Sequence, residues 1–359
     1  MKFTLFGLPK TGKTTLFNLL TGSQLETSKF AATEKSVHIG RCLVQDPRVR
    51  TLSEIFKPRK TIFAQIDYVD LGGLAFGDVK ETELLPHLRN SDGLAHVVRA
   101  FEDDEMPVDV GLDPIRDLRR MDDELILADM VVVENRLDRL AKDLKKGKRP
   151  ELVKEEEVVT RCRDVLSGGT PLRDVAFAEE EMRLIRGFMF LSQKPLLGIV
   201  NLGEKDTSRL GDHTGLFPPQ WKDSTNVVIC PVSAVIEEAI SKLSEADAAE
   251  YIAAYGLTET ALARLIRNSY SLLGLVSFFT VGEDEVRAWT VRKGINARGA
   301  AGAIHSDLER GFIRAEVVTY DDFMAAGSLS ACRQNGTLRL EGKDYPVSDG
   351  EIIHFRSGV

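Results

Sequence analysis

Near the amino terminus, Gly7-Leu8-Pro9-Lys10-Thr11-Gly12-Lys13-Thr14-Thr15 sets two glycines, a lysine and a hydroxyl residue at the spacing Gly-x-x-x-x-Gly-Lys-Thr. This is phosphate chemistry. Backbone N–H groups of a tight turn and of the following helix N-terminus converge on one point and bind phosphate oxygens there. Gly7 and Gly12 permit the turn. Lys13 is expected to bridge the outer two phosphates of a nucleoside triphosphate, in binding and in catalysis, and the Thr14 hydroxyl to take one position on a magnesium ion. The elements that must hold this loop are legible on either side. Phe3 to Phe6 reads as a short apolar strand and residues 14–20 as an apolar-rich helix, the setting this motif requires.

A second phosphate signal is Asp70-Leu71-Gly72-Gly73, a D-x-x-G at the end of the alternating run Ile62 to Val69. Ligands of open α/β sheets bind at the carboxyl ends of strands. Asp70 is expected to hold magnesium through a water. Gly73 has no side chain to block close approach, so its N–H is expected on the γ-phosphate in a catalytic role. Thr33, in the polar loop between Ser28 and Ser36, stands where a switch threonine would complete the magnesium coordination; a plain loop threonine is the competing reading. The base is read elsewhere. A guanine site needs Asn-Lys-x-Asp after a buried strand, the Asp accepting two hydrogen bonds from the guanine edge and the Lys lying over the ring. Here the same place reads Asn201-Leu202-Gly203-Glu204. The lysine is gone and the carboxylate is one methylene longer, so the preference for guanine should weaken.

The 359 residues, 43% hydrophobic and 28% charged, are ordinary for a soluble globular protein with two or three domains. No apolar run approaches the roughly 18 residues of a membrane span, and no secretion signal is legible at the start. Four cysteines lie far apart, which argues against a disulfide framework and a zinc ribbon. A net charge of −8 disfavours indiscriminate nucleic-acid binding.

The pattern is α/β from Met1 to about Pro114, with strands such as Leu94 to Phe101. After Pro114 the period changes: Leu118, Met121, Leu125, Ala128 and Val132 recur three and four apart, as a long helix requires. It stops at Lys145-Lys146-Gly147-Lys148-Arg149-Pro150, and a second helix from Glu151 to Leu166 returns, so an antiparallel helical hairpin is expected as an insertion. Its basic tip reads either as a probe for ribosomal RNA phosphate or as a solvated turn. Buried strands follow at Pro195 to Val200 and Asn226 to Cys230. From Val276 the texture is of short strands and Gly, Asp and Asn turns. The expected division is residues 1–115 with 192–275 as a P-loop NTPase domain, 116–191 as the hairpin, and 276–359 as a third domain. His96, Phe278 and Phe279 read as packing, and His305 as a loop histidine bonded to backbone.

Taken together, these motifs resemble one family along nearly the whole chain: the YchF-type members of the Obg class of P-loop NTPases. The resemblance rests on the P-loop, the turn from Asp70 to Leu74, the helical insertion, the Asn-x-x-Glu base motif, and the runs Phe278 to Gly282, Glu285 to Trp289 and Glu341 to Tyr345. It implies a C-terminal TGS domain of β-grasp fold and a cytosolic ATPase preferring ATP to GTP. It also implies magnesium as cofactor and an association with ribosomes and stress responses. Ser233-Ala234 fits the family's other base-side loop. We expect a monomer, with neither membrane nor DNA as partner. An ordinary GTPase of the same fold and a non-catalytic, ATP-gated adaptor are the alternative functions.

The chain departs from the family pattern in three places. Lys10 stands where the family P-loop carries Asn; its ammonium either folds back over the phosphates as a built-in cation or points into solvent. The Gly-rich run after the D-x-x-G turn is shorter. Asp103 to Asp113 lacks the histidine that relatives often place there. Leu74 follows the D-x-x-G, and an apolar side chain cannot hold a nucleophilic water, so slow basal turnover is expected.

Overall fold

Apolar strands alternating with helices dominate the first part of the chain. The computed structural model describes residues 1–26, 36–72, 83–102, 111–147, 149–211, 215–216, 218–221 and 224–358. It opens with β1 (Lys2–Phe6), α1 (Lys13–Thr21), β2 (Val37–Val44), α2 (Pro47–Phe56), β3 (Lys60–Ile62) and β4 (Ala64–Leu71). Next come α3 (Leu85–Arg89), β5 (Gly93–Ala100), the long α4 (Pro114–Lys146), α5 (Pro150–Ser167), α6 (Glu179–Ile185) and β6 (Leu196–Leu202). Then follow β7 (Val227–Val232), α7 (Ala234–Ser241), α8 (Glu245–Ala254), α9 (Ala261–Leu272), β8 (Leu275–Thr280) and β9 (Glu285–Arg292). The chain closes with α10 (Ala297–Ile304), α11 (Ser306–Arg310), β10 (Phe312–Thr319), α12 (Tyr320–Ala326), α13 (Leu329–Gln334), β11 (Arg339–Glu341) and β12 (Glu351–Ser357).

By contact the chain forms two units, Met1–Arg41 with Asp67–Leu272, and Cys42–Ile66 with Leu273–Val359. The expected domain 1–115 is therefore corrected: residues 42–66 belong with the C-terminal segment. The reason is strand pairing and packing. β3 adds to β9 in parallel, Lys60 opposite Glu285 and Ile62 opposite Arg287. On α2, Arg48 bonds Asp349 at 2.8 Å and lies over the Phe279 ring, and Phe56 stacks on Phe323.

The first sheet has the order β2-β4-β1-β5-β6-β7, and β1 pairs in parallel with both β4 and β5. Strand order reverses there, so the crevice at the carboxyl end of β1 is where a ligand belongs. The register brings the motif residues to that edge: Leu5 opposite Asp70, Phe6 opposite His96, Arg99 opposite Asn201, Asn201 opposite Val232. β7 carries Pro231 because it is an edge strand and needs to donate on one side alone. Helix α4 serves two cores. Leu118, Met121, Leu125 and Ala128 join the cluster under the sheet, whereas Ile126, Val133 and Leu140 join a second one with Val159, Cys162 and Leu166 of α5. The two helices are also laced by Arg136 and Glu155, a bidentate pair at 2.6 and 2.7 Å.

In the C-terminal unit the sheet order is β11-β10-β12-β8-β9-β3. β8 pairs in parallel with β12, while β9 and β10 run antiparallel on either side, the expected β-grasp arrangement. Phe278 and Phe279 are fully buried, and Phe278 lies in a core with Val276, Val291 and Ala300. His305 bonds backbone: its Nδ1 accepts from Asp307 N at 3.2 Å. All four cysteines are free and buried. Among the described residues no helix is long and apolar enough to cross a membrane.

Candidate functional site

The loop between β1 and α1 is shaped by close contact as much as by glycine freedom. Gly7 has φ 140°, and a Cβ there would run into the Val97 carbonyl and stand 3.1 Å from the His96 ring. Gly12 has φ 90° and ends the loop as the residue before α1; a Cβ on it would collide with Asn201 Nδ2. Leu8 is half-buried and Pro9 exposed. Thr11 is buried, its hydroxyl donating to Leu8 O at 3.1 Å, and Thr15 is half-buried on the first turn of α1. Lys10 is exposed at φ 62°, a left-handed conformation uncommon for a side chain of this size.

Lys13 is 6% exposed and donates to Gly7 O at 3.0 Å and Leu8 O at 2.7 Å. Burial pushes its ammonium down to about 8, with the nearby Asp70 charge working the other way. Thr14 Oγ1 donates to Asp70 Oδ2 at 2.7 Å. Burial raises the Asp70 carboxyl, offset by the Thr14 bond and by the charges of Lys13 and His38. Its other oxygen, Oδ1, is buried with no partner. A buried carboxylate oxygen does not stay unpaired without cost. Beside a threonine hydroxyl, at the carboxyl end of β4, this donor set fits a hard divalent cation such as magnesium.

Asn201 does something the sequence reading did not assign to it. Its Nδ2 donates to Thr11 O at 3.0 Å and its Oδ1 accepts from Ala234 N at 3.1 Å. The side chain is thus a strut between the P-loop and the start of α7. The side chain of Leu202, a residue expected at the base, is 1% exposed and belongs to the apolar cluster under the sheet, because it ends a strand whose seven residues are all buried. Glu204 is exposed at the first turn after β6. Ser233 sits before α7 with its hydroxyl buried and unpartnered, next to the Ala234 amide. Thr33, Gly73 and Leu74 lie outside the described residues, as does Lys148 of the hairpin tip.

The sequence reading missed Phe101. It follows β5 as Asn201-Leu202 ends β6, and its Cβ would lie 3.3 Å from a Cβ on Gly203, inside the base motif. Arg99 holds it there, donating to Phe101 O at 2.9 Å with its guanidinium over the ring. Its place at the carboxyl end of a central strand was the available signal. His96 is buried and stacked on Phe6 at 5.0 Å, as expected of packing, but both ring nitrogens lack partners.

Comparison with known proteins puts this chain in a family. The family described as 50S ribosome-binding GTPase matches residues 2–136, and the YchF-GTPase C-terminal family, described as a protein of unknown function, matches residues 275–358. The chain is 39% identical to the Ribosome-binding ATPase YchF of Bacillus subtilis, covering 98% of each. The chain belongs to the YchF family. It is also 36% identical to human Obg-like ATPase 1, over 99% of this chain and 92% of that protein. The solved Schizosaccharomyces pombe YchF GTPase superposes with a TM-score of 0.85 at 29% identity, covering 99% of this chain and 97% of that one. The P-loop NTPase fold with a YchF C-terminal domain is therefore that of this chain.

Proposed function

We propose that this YchF-family chain binds ATP with magnesium in the P-loop and hydrolyses it slowly, as a switch acting on the ribosome in the cytoplasm. The observation that carries the reading is the Thr14 hydroxyl on Asp70, with Asp70 Oδ1 unpartnered and the charge of the buried Lys13 acting on that carboxylate. Thr14 and Asp70, with Thr33, would hold the magnesium, which neutralises charge on the phosphates. On phosphate binding, Lys13 exchanges the Gly7 and Leu8 carbonyls for phosphate oxygens, and the loop amides bind the rest. Water attacks the γ-phosphorus and ADP leaves. Lys10 adds an exposed cation at the loop's rim, and Gly73 an amide for the γ-phosphate.

Preference for ATP is supported by what the base side lacks. Asn201 has both ends of its amide engaged as a strut, Leu202 is in the core, and Glu204 is displaced by a methylene from the position of a guanine-reading carboxylate. Phe101 stands beside Gly203 of the base motif, and Ser233 has an unpaired hydroxyl. Similarity to proteins named ribosome-binding ATPase and Obg-like ATPase supports both the nucleotide and the partner. We assign ribosome contact to the hairpin 116–191 and the TGS domain 276–359.

The test is phosphate release under single turnover, from ATP and from GTP, with and without ribosomes. Slow release from ATP that rises with ribosomes and disappears in Lys13→Ala supports the proposal. Release unaffected by Lys13→Ala, or fast release without any partner, overturns it.

A further inference from the structure

In the C-terminal sheet, strand alternation sorts the side chains of β10 and β12 onto two faces. Ala315, Val317, Ile353 and Phe355 turn inward, to the apolar cluster that includes Ala297 and Ala300 of α10. The opposite face is divided. At one end Val318 and Ile352, a cross-strand pair, are buried. At the other end Arg314 stands opposite Arg356, and Glu316 opposite both His354 and Leu340. Of these, Arg314, Leu340, His354 and Arg356 are exposed.

Charge at this open end is lopsided. Arg356, and Arg333 from α13, both donate to a single oxygen, Glu316 Oε1, at 2.5 and 3.3 Å. The Glu316 side chain is 10% exposed, whereas those of Arg356 and Arg333 are 50% and 63% exposed. A guanidinium carries five N–H donors in a planar fork, so most of the donors of this pair are left for another acceptor. Arg314 makes no ion pair among the described residues. Three guanidiniums thus face one carboxylate, on a chain whose net charge is −8. Like charges directly opposite each other on neighbouring strands destabilise a sheet. Arg314 and Arg356 are such a pair, and Glu316 answers only one of them. An anion held between them would remove that cost.

Arginine forks match the oxygens of a phosphate two at a time. The open end carries no Phe, Tyr or Trp, so it offers donors for phosphates and no platform for stacked bases. Paired RNA is recognised in that way, through its backbone and shape. We propose that Arg314, Arg333 and Arg356, with His354 beside them, bind backbone phosphates of base-paired RNA. This rests on the ribosome reading above, and supplies the contact residues which that reading left open in the TGS domain.

The test measures binding of the full-length protein to whole ribosomes by co-sedimentation, and to ribosomal RNA stripped of protein by filter retention, over a series of potassium chloride concentrations. Arg314→Gln with Arg356→Gln should weaken RNA binding about tenfold or more and make the log–log salt slope shallower by about two. Lysine at both positions keeps the charge without the fork, so it should restore the slope and only part of the affinity. Lys293→Gln with Lys343→Gln removes as much charge from exposed turns of the same domain and should cost less than about threefold. Arg314→Gln alone leaves both Glu316 pairs in place, so it reports on binding even where the double variant unfolds. Full affinity and slope in the glutamine variants, or an equal loss in the lysine control, overturns the inference. So does binding to ribosomes with none to the stripped RNA, which would make the partner a protein surface. Failure of the unmodified protein to bind ribosomes would overturn the ribosome reading, and this inference with it.

Discussion

At the residue scale, Lys13 carries a pH dependence whose sign follows from its burial. In the free protein burial holds its ammonium near 8, below the ordinary lysine value. Phosphate favours the charged form and raises that value on binding. Below about pH 8 the ammonium is already charged and affinity is flat; above it, binding must take up a proton and affinity falls by up to about tenfold per pH unit. Calorimetry at pH 9 in buffers of different ionisation heat should show proton uptake that is missing at pH 7; a flat affinity across this range would contradict the assignment. Asn201 and Leu202 make a contrasting pair. Asn201→Ala strips Thr11 O and Ala234 N of a buried partner, about 1–3 kcal/mol, and should weaken ATP and GTP alike. Leu202→Ala opens a cavity worth about 2–5 kcal/mol in denaturant unfolding and should leave the ATP-to-GTP ratio unchanged. A changed ratio in the Leu202 variant would put that side chain back at the base. The sequence showed the types and spacing of the P-loop residues, because local geometry dictates them. It did not show that Asn201 is a strut, since that depends on where β6 ends relative to α7.

At the element scale, the strands and the hairpin were legible because each carries its own period. Leu118, Met121, Leu125 and Ala128 are spaced as one helix face and are buried as one. The two caps at the start of α9 differ in this respect. Thr260 caps its own helix, accepting from Ala263 N at 3.0 Å, and is readable from sequence. Glu237, on α7 and twenty-four residues away, accepts from Ala261 N at 2.7 Å and Leu262 N at 3.4 Å, which no local rule reveals. Burial raises the Glu237 carboxyl and these two amides work against that. Glu237→Ala should cost about 1–2 kcal/mol, read as a lower denaturation midpoint at unchanged slope. An unchanged midpoint would mean that α9 is held by packing alone.

At the scale of the whole molecule, the reading of a continuous first domain failed at residues 42–66 for a physical reason. β3 is three residues long and its partner β9 begins more than two hundred residues later in the chain, with Lys60 opposite Glu285, so no short-range pattern marks the pairing. The family resemblance, by contrast, was carried by long runs spread over both units. The central claim joins all three scales: a phosphate cradle, a strand edge and a YchF fold that together hold ATP in preference to GTP. Its most direct measurement is a calorimetric titration of the full chain with each nucleotide in the presence of magnesium, repeated with Lys13→Ala. The account predicts that ATP binds at least several-fold more tightly than GTP and that the variant binds neither. Equal or tighter binding of GTP, or ATP binding that survives loss of Lys13, would contradict it.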